Sequence, residues 1–301
     1  MPQIRCGFAD ALLTARLPPR SNDIYLQEVS AIMRLTIITI IMALTAICVL
    51  QASGDQGADF WSSRALQLYI NGSYDEAVSA YDKAISMDPN NASLYNGLGM
   101  ALSFGLDRQD DAVAAYEKAL NLNSSYADAF CNKGYALCRL EKYDEGISCY
   151  DKAIQLNPSF AEAWNFKGLA LSIGLGKDDE ALTCLDKAVA LNPGYYDAWI
   201  SRGLVMSNLG KNDEAIDCLE RAIRINPKLP KGWNNEGVVY LKMGYYQDAV
   251  ASFNAALRLD PSYEDAKQNR EMALSAIDQM QSNDLDDALN RARQAEGANM
   301  A

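Results

Sequence analysis

The chain has 301 residues, 49% of them hydrophobic, with nine prolines and no histidine. Without histidine neither a serine–histidine nor a cysteine–histidine nucleophile pair can be built, and the commonest metal ligand is missing. The net charge is −12; the first 50 residues hold four arginines against three acids, so the remainder carries about −13, which argues against nucleic acid as a partner.

Residues 1–33 carry Arg5, Arg16 and Arg20, a Pro18-Pro19 break and no sustained apolar period, and are expected to form a poorly ordered extension. Residues 34–52 differ in kind. Arg34 precedes sixteen uncharged residues, Leu35 to Leu50, and the small, polar stretch QASGDQGAD follows them. That is the anatomy of a secretory signal. A spanning helix wants about 20 apolar residues, so the length favours a cleaved signal over a membrane anchor. Either places the rest of the chain in an extracytoplasmic setting, secreted or membrane-anchored, with membrane contact only through Leu35 to Leu50 if they are uncleaved. Met33-Arg34 makes a compact basic start for such a signal and marks Met33 as an alternative start of translation.

From Ala58 onward one pattern recurs, most plainly in Pro230 to Tyr263. Counting Pro230 as position 1, Trp233 is position 4, Gly237 position 8, Tyr240 position 11, Ala249 position 20, Phe253 position 24, Ala256 position 27 and Pro261 position 32. Positions 4, 8 and 11 share one face of a first helix, and 20, 24 and 27 one face of a second, because both sets step by three or four residues. Small residues sit where the helix axes would cross, and aromatic ones fill the gap beside them. Gly244 falls in the turn, and Pro261 stops the second helix.

The pattern divides the chain into six repeats, 58–91, 92–126, 127–160, 161–195, 196–229 and 230–263. In repeat two Ser124 replaces the proline at position 32, so its end is expected to be the loosest. Repeats two and four each hold one extra residue, in ALSFGLDRQDDA and ALSIGLGKDDEA, 69 residues apart. The extra residue is expected in the turn between helices, with Leu106 and Leu175 projecting from one edge of the array. Residues 264–280 keep helical spacing but carry Lys267 and Glu271 at positions 4 and 8, and read as a capping helix. Residues 281–301 are expected to be an acidic flexible tail with a marginal helix near Leu285 to Ala292.

Two further features have structural readings. Asp75-Glu76, Asp110-Asp111, Asp144-Glu145, Asp178-Asp179 and Asp213-Glu214 all stand where a second helix begins, where carboxylates satisfy free N–H groups and the helix dipole. They lie at separate helix ends, not around one pocket. Cys149, Cys184 and Cys218 occupy one equivalent position in successive repeats, and helices about 8–10 Å apart put them beyond disulfide reach. Cys131 and Cys138 are separated by about 10.5 Å along one helix. No zinc spacing occurs.

This arrangement resembles the tetratricopeptide repeat, whose signature places an aromatic at 4, a small residue at 8, alanine at 20 and 27, an aromatic at 24 and proline at 32. The resemblance implies an all-α fold, a right-handed superhelical α-solenoid of antiparallel hairpins. It also implies a concave groove lined by the first helices, with ligand contacts at positions 2, 5, 6, 9, 12 and 13. Mapped onto this chain, that groove offers Asn96, Met100, Asn132, Tyr135, Arg139, Asn165, Leu169, Asn208, Asn234, Asn235 and Lys242. Two known groove chemistries are absent. Ser62 and Leu66 replace the lysine and asparagine of a carboxylate clamp, and an asparagine ladder at position 6 survives only at Asn132 and Asn235. The expected function is a non-enzymatic scaffold binding a protein or peptide ligand in the groove, without cofactor or metal. A self-associating structural repeat protein of the cell surface, a homo-oligomer, is the alternative.

Overall fold

A computed structural model describes the backbone of residues 57–299 and the side chains of residues 57–283. The extension 1–33 and the apolar segment 34–52 lie outside the described residues, with Cys6 and Cys48. Thirteen helices follow one another: α1 (Ala58–Ile70), α2 (Tyr74–Met87), α3 (Ala92–Met100), α4 (Gln109–Leu122), α5 (Ala127–Arg139), α6 (Tyr143–Leu156) and α7 (Ala161–Leu169). The remainder are α8 (Asp178–Leu191), α9 (Tyr196–Asn208), α10 (Asn212–Ile225), α11 (Pro230–Met243), α12 (Tyr246–Leu259) and α13 (Glu264–Asn299). Among the described residues there is no strand, and no helix is long and apolar enough to cross a membrane. The helices pair into six hairpins stacked as an α-solenoid.

Each hairpin closes where the sequence pattern places its small residues. A Cβ added to Gly237 would lie 2.6 Å from the Phe253 ring, one on Gly134 2.8 Å from Tyr150, and one on Gly168 2.8 Å from Leu185. The position-24 side chains therefore occupy space that a larger position 8 would need. Tyr116, Tyr150, Leu185, Leu219 and Phe253 are all fully buried there, each contributing about 1.5–3 kcal/mol of burial. Neighbouring repeats are tied by the residue at position 4. The indole N–H groups of Trp164, Trp199 and Trp233 donate to the carbonyls of Pro158, Pro193 and Pro227 at 3.0–3.1 Å, and the Tyr95 hydroxyl donates to Pro89 at 3.2 Å. A second tie runs from position 7: Lys133 to Glu117 at 2.8 Å, Lys167 to Asp151 at 2.6 Å and Arg202 to Asp186 at 2.7 Å.

Several local expectations are corrected. The end of repeat two is not loose: α4 stops at Leu122 and Asn123 adopts φ −139°, ψ 93°, close to its counterparts Asn157, Asn192, Asn226 and Asp260. Asn123 Oδ1 accepts the Ser125 backbone N–H at 3.0 Å, as Asn157 does from Ser159 at 3.2 Å. The asparagine side chain closes its turn in the same way whether Ser124 or a proline follows it. The residues preceding α2, α4, α6, α8, α10 and α12 make no side-chain cap bond, and two of the paired first-turn acids are engaged by side chains, Asp111 by Arg108 at 2.7 Å and Asp178 by the Ser172 hydroxyl. The capping helix does not stop at Met280 but continues as one helix to Asn299, through the stretch read as a flexible tail.

The extra residue of repeats two and four lies inside the first helix, not in the turn. It is absorbed by one widened π turn, Ala101–Gly105 after α3 and Ala170–Gly174 after α7. The widening carries Leu106 and Leu175 inward, where they pack on Leu102 and Leu171 and their neighbours instead of projecting. Phe104 and Ile173 face solvent in their place, 40% and 72% exposed. A Cβ on Gly105 or Gly174 would overlap the ring of Tyr74 or Tyr143, so glycine is required where these tyrosines lie across the turn.

Candidate partner-binding groove

The first helices α5 and α7 flank a cleft floored by α6. Its cavity of about 240 Å³ is bounded by Tyr135 and Arg139 of α5, Tyr143 and Tyr150 of α6, Leu169 of α7 and Ile173 of the π turn. Aromatic rings form a continuous row into it. Phe104 and Tyr135 have centroids 4.6 Å apart, Tyr135 and Phe166 5.7 Å, and Phe166 and Tyr150 6.1 Å in a stacked arrangement. Burial raises the affinity of the Tyr150 phenol and the Cys138 thiol for their protons, so both are neutral near pH 7. The one ionic group at the rim is Arg139, which donates to the Tyr135 hydroxyl at 3.4 Å and to Asp107 at 2.9 Å. Both members of that ion pair are exposed, which makes it weak and exchangeable.

Of the residues the sequence nominates, Tyr135, Arg139 and Leu169 come together in this cleft. Asn132 lies beside it, half-buried, with Nδ2 donating to Asn96 Oδ1 at 3.1 Å. Met100 is half-buried against the Leu102 and Tyr116 cluster. Asn96, Asn165 and Asn234 are not groove residues: they are 7%, 1% and 5% exposed, packed between successive first helices. Asn96 accepts from Asn132 of the next repeat and Asn234 Oδ1 from Asn269 of the capping helix at 3.1 Å, whereas Asn165 Oδ1 has no such partner. Asn208, Asn235 and Lys242 belong to repeats five and six, away from the cleft. Lys242 is engaged there, its Nζ donating to the Ser207 carbonyl and, at 3.3 Å, to Ser207 Oγ.

Sequence reasoning missed Phe104, Ile173 and Tyr143. The first two stand at position 13 of their repeats, the position of Arg139, and that register was the available signal. Tyr143 opens a second helix, so a search confined to first helices could not find it. The five described cysteines are unpaired, and no cluster of potential metal ligands occurs among the described residues.

The chain is similar to known proteins at two levels. Tetratricopeptide repeat models match residues 127–160, 161–195, 184–217 and 230–263, and TPR repeat models match 65–103, 106–140 and 208–244. No curated protein matches the chain. Among solved structures, the Cut9 and Hcn1 hetero-tetramer of the APC/C superposes with a TM-score of 0.66 at 18% identity, over 73% of this chain and 44% of that one. The match thus spans less than half of that relative. A tetratricopeptide repeat protein from Parabacteroides merdae gives 0.63 at 16% identity, over 84% and 98%. The thermophilic TPR protein TTC0263 of Thermus thermophilus gives 0.55 at 24%, over 61% and 98%. These likenesses show the fold, an α-solenoid of helical hairpins. Six hairpins closed by a small residue at position 8, Ala65 in the first and glycine in the other five, together with family matches running from residue 65 to residue 263, make this chain a member of the tetratricopeptide repeat family.

Proposed function

We propose that this protein is a non-enzymatic scaffold that captures a peptide segment of a partner protein in the cleft of repeats three and four, and that it does so outside the cytoplasm. One observation carries the reading: an open aromatic cleft with a single, exchangeable arginine at its rim. Aromatic and arginine side chains tend to dominate binding energy at interfaces. The extracytoplasmic setting rests on Arg34 and the uncharged Leu35 to Leu50 that follow it. N-terminal sequencing tests it: a mature chain starting near Ser53 supports export, and one starting at Met1 opposes a cleaved signal.

The groove itself is tested by replacing Tyr135 and Arg139 together with alanine. Partner capture from the native membrane fraction is expected to fall about tenfold or more, which corresponds to about 1.4 kcal/mol, while thermal stability stays nearly unchanged. A fall in stability with capture per folded molecule constant would assign both residues to packing and remove the site.

A further inference from the structure

Residues that line the cleft between repeats three and four have counterparts 69 residues earlier. Leu66, Tyr74 and Phe104 stand at that offset from Tyr135, Tyr143 and Ile173. The local structure repeats with them: each site carries a π turn, and in each a tyrosine opening the odd repeat's second helix lies across the glycine of that turn. Four exposed apolar side chains fall on the same register. Leu66 is 49% exposed, Ile70 67%, Phe104 40% and Ile173 72%, all at groove positions 9 or 13. The copies differ in their side chains: Leu66, Ile70, Gly97 and Phe104 stand where the later cleft has Tyr135, Arg139, Phe166 and Ile173, so only the later one carries a charge.

We propose that the two sites are halves of one binding surface, occupied by an extended segment of a partner protein that carries two large apolar side chains with an acidic residue between them. This deepens the scaffold reading above and rests on it. Successive helices pack about 8–10 Å apart, so sites two repeats apart are separated by about 16–20 Å. An extended chain rising about 3.3 Å per residue covers that distance in about six residues, and an even spacing puts both side chains on one face. Asn132 lies between the sites and, with one amide N–H committed to Asn96, keeps its Oδ1 to accept a backbone N–H. An extended segment has such groups to offer, whereas the middle of a helix does not.

The acidic residue follows from Arg139. Its guanidinium is held by Asp107 in an exposed pair, and a ligand carboxylate competes for the same fork. The surface also has an end. One further step of 69 residues replaces Arg139 and Ile173 by Asn208 and Lys242, and Lys242 is bonded to the Ser207 carbonyl. The apolar register therefore stops at repeat four.

The test titrates the full chain into fluorescein-labelled synthetic peptides of about twelve residues, polar except for the anchors, and reads fluorescence anisotropy. Two leucines about six residues apart around a central glutamate are expected to bind about tenfold more tightly than one leucine, or than two leucines about three residues apart, since the second contact is intramolecular. Ile70→Ser and Ile173→Ser are each expected to reduce the two-anchor peptide to the affinity of the one-anchor peptide, with thermal melting confirming that both variants fold. Equal binding of one- and two-anchor peptides, still lost in the Tyr135→Ala and Arg139→Ala double variant, overturns the paired surface and leaves the groove. Binding that survives that double variant, or no binding by any peptide, overturns both. A concentration-dependent dimer in light scattering that Ile70→Ser and Ile173→Ser dissolve would make a second copy the occupant, which also overturns the proposal.

Discussion

Repeats three and four and repeats five and six are built on the same interior and present opposite exteriors. In both pairs a glycine at position 8 receives the position-24 side chain, Gly134 against Tyr150 and Gly168 against Leu185 in one, Gly203 against Leu219 and Gly237 against Phe253 in the other. In both pairs a tryptophan indole donates to a proline carbonyl at the end of the preceding repeat. Outside that interior the residues diverge. Tyr143 and Ile173 of the first pair become Asn212 and Lys242 of the second, and the π turn is replaced by a regular end at Gly244, held at φ +80°. The residue at position 7 changes sign: Lys133, Lys167 and Arg202 reach carboxylates of the preceding repeat, but in repeat six it is Glu236, 7% exposed and accepting from Ser252 of its own hairpin at 2.7 Å. The lesson is a division of labour. Close crossings tolerate little variation because overlap is costly, whereas a solvent-facing register can be rewritten without touching the fold.

Breaking the shared interior is expected to have the largest effect. Ala215 is fully buried at a crossing where a Cβ on Gly203 would lie 3.1 Å from the Ala215 carbonyl. Ala215→Leu should destabilise by about 1–3 kcal/mol, because the added methyl groups force the helices apart. Chemical denaturation measures this, and an unchanged midpoint would mean that the crossing is not close.

A smaller effect, in the stabilising direction, is expected where the two pairs meet. Asn96 accepts a bond from Asn132 of the next repeat and Asn234 from Asn269 of the capping helix, but Asn165 Oδ1 is buried without a partner. The equivalent residue is Ser201, whose hydroxyl donates to the Asp197 carbonyl instead. Ser201→Asn should supply the missing amide and raise stability by about 0.5–1.5 kcal/mol. A lowered denaturation midpoint would show that the joint has no room for the longer side chain.

The smallest effect tests the reversed charge. Burial raises the Glu236 carboxyl above its usual value of 4.5, the Ser252 bond lowers it in part, and Glu220 raises it further. The folded state therefore holds this proton more tightly than the unfolded chain. The associated stability is fully present below the unfolded value and is lost as pH rises through the higher folded value. Glu236→Gln keeps the neutral form at every pH, so it should match the wild type near pH 4 and exceed it by about 1 kcal/mol or less at pH 7. A stability difference independent of pH between those limits would show that Glu236 titrates as it does in the unfolded chain.

The hairpins and their register were legible in the sequence because the packing columns repeat at fixed helical spacing, and a glycine facing an aromatic has one steric meaning. Tyr135, Arg139 and Leu169 were legible for the same reason: positions 9 and 13 of a first helix share a face. The π turns were not, since an extra residue in ALSFGL can be accommodated in a turn or inside a helix, and only the fit of Tyr74 and Tyr143 over Gly105 and Gly174 selects the helix. Nor could position alone tell Asn96, Asn165 and Asn234 from groove residues. Position 5 faces the seam between neighbouring first helices, and how closely they pack is a property of the assembled array. The sequence by itself determined the repeat, its period and the closed interior, which depend on local spacing and side-chain size. The tertiary structure decided which surface residues converge on a cleft, because that depends on distances between helices that no single repeat contains.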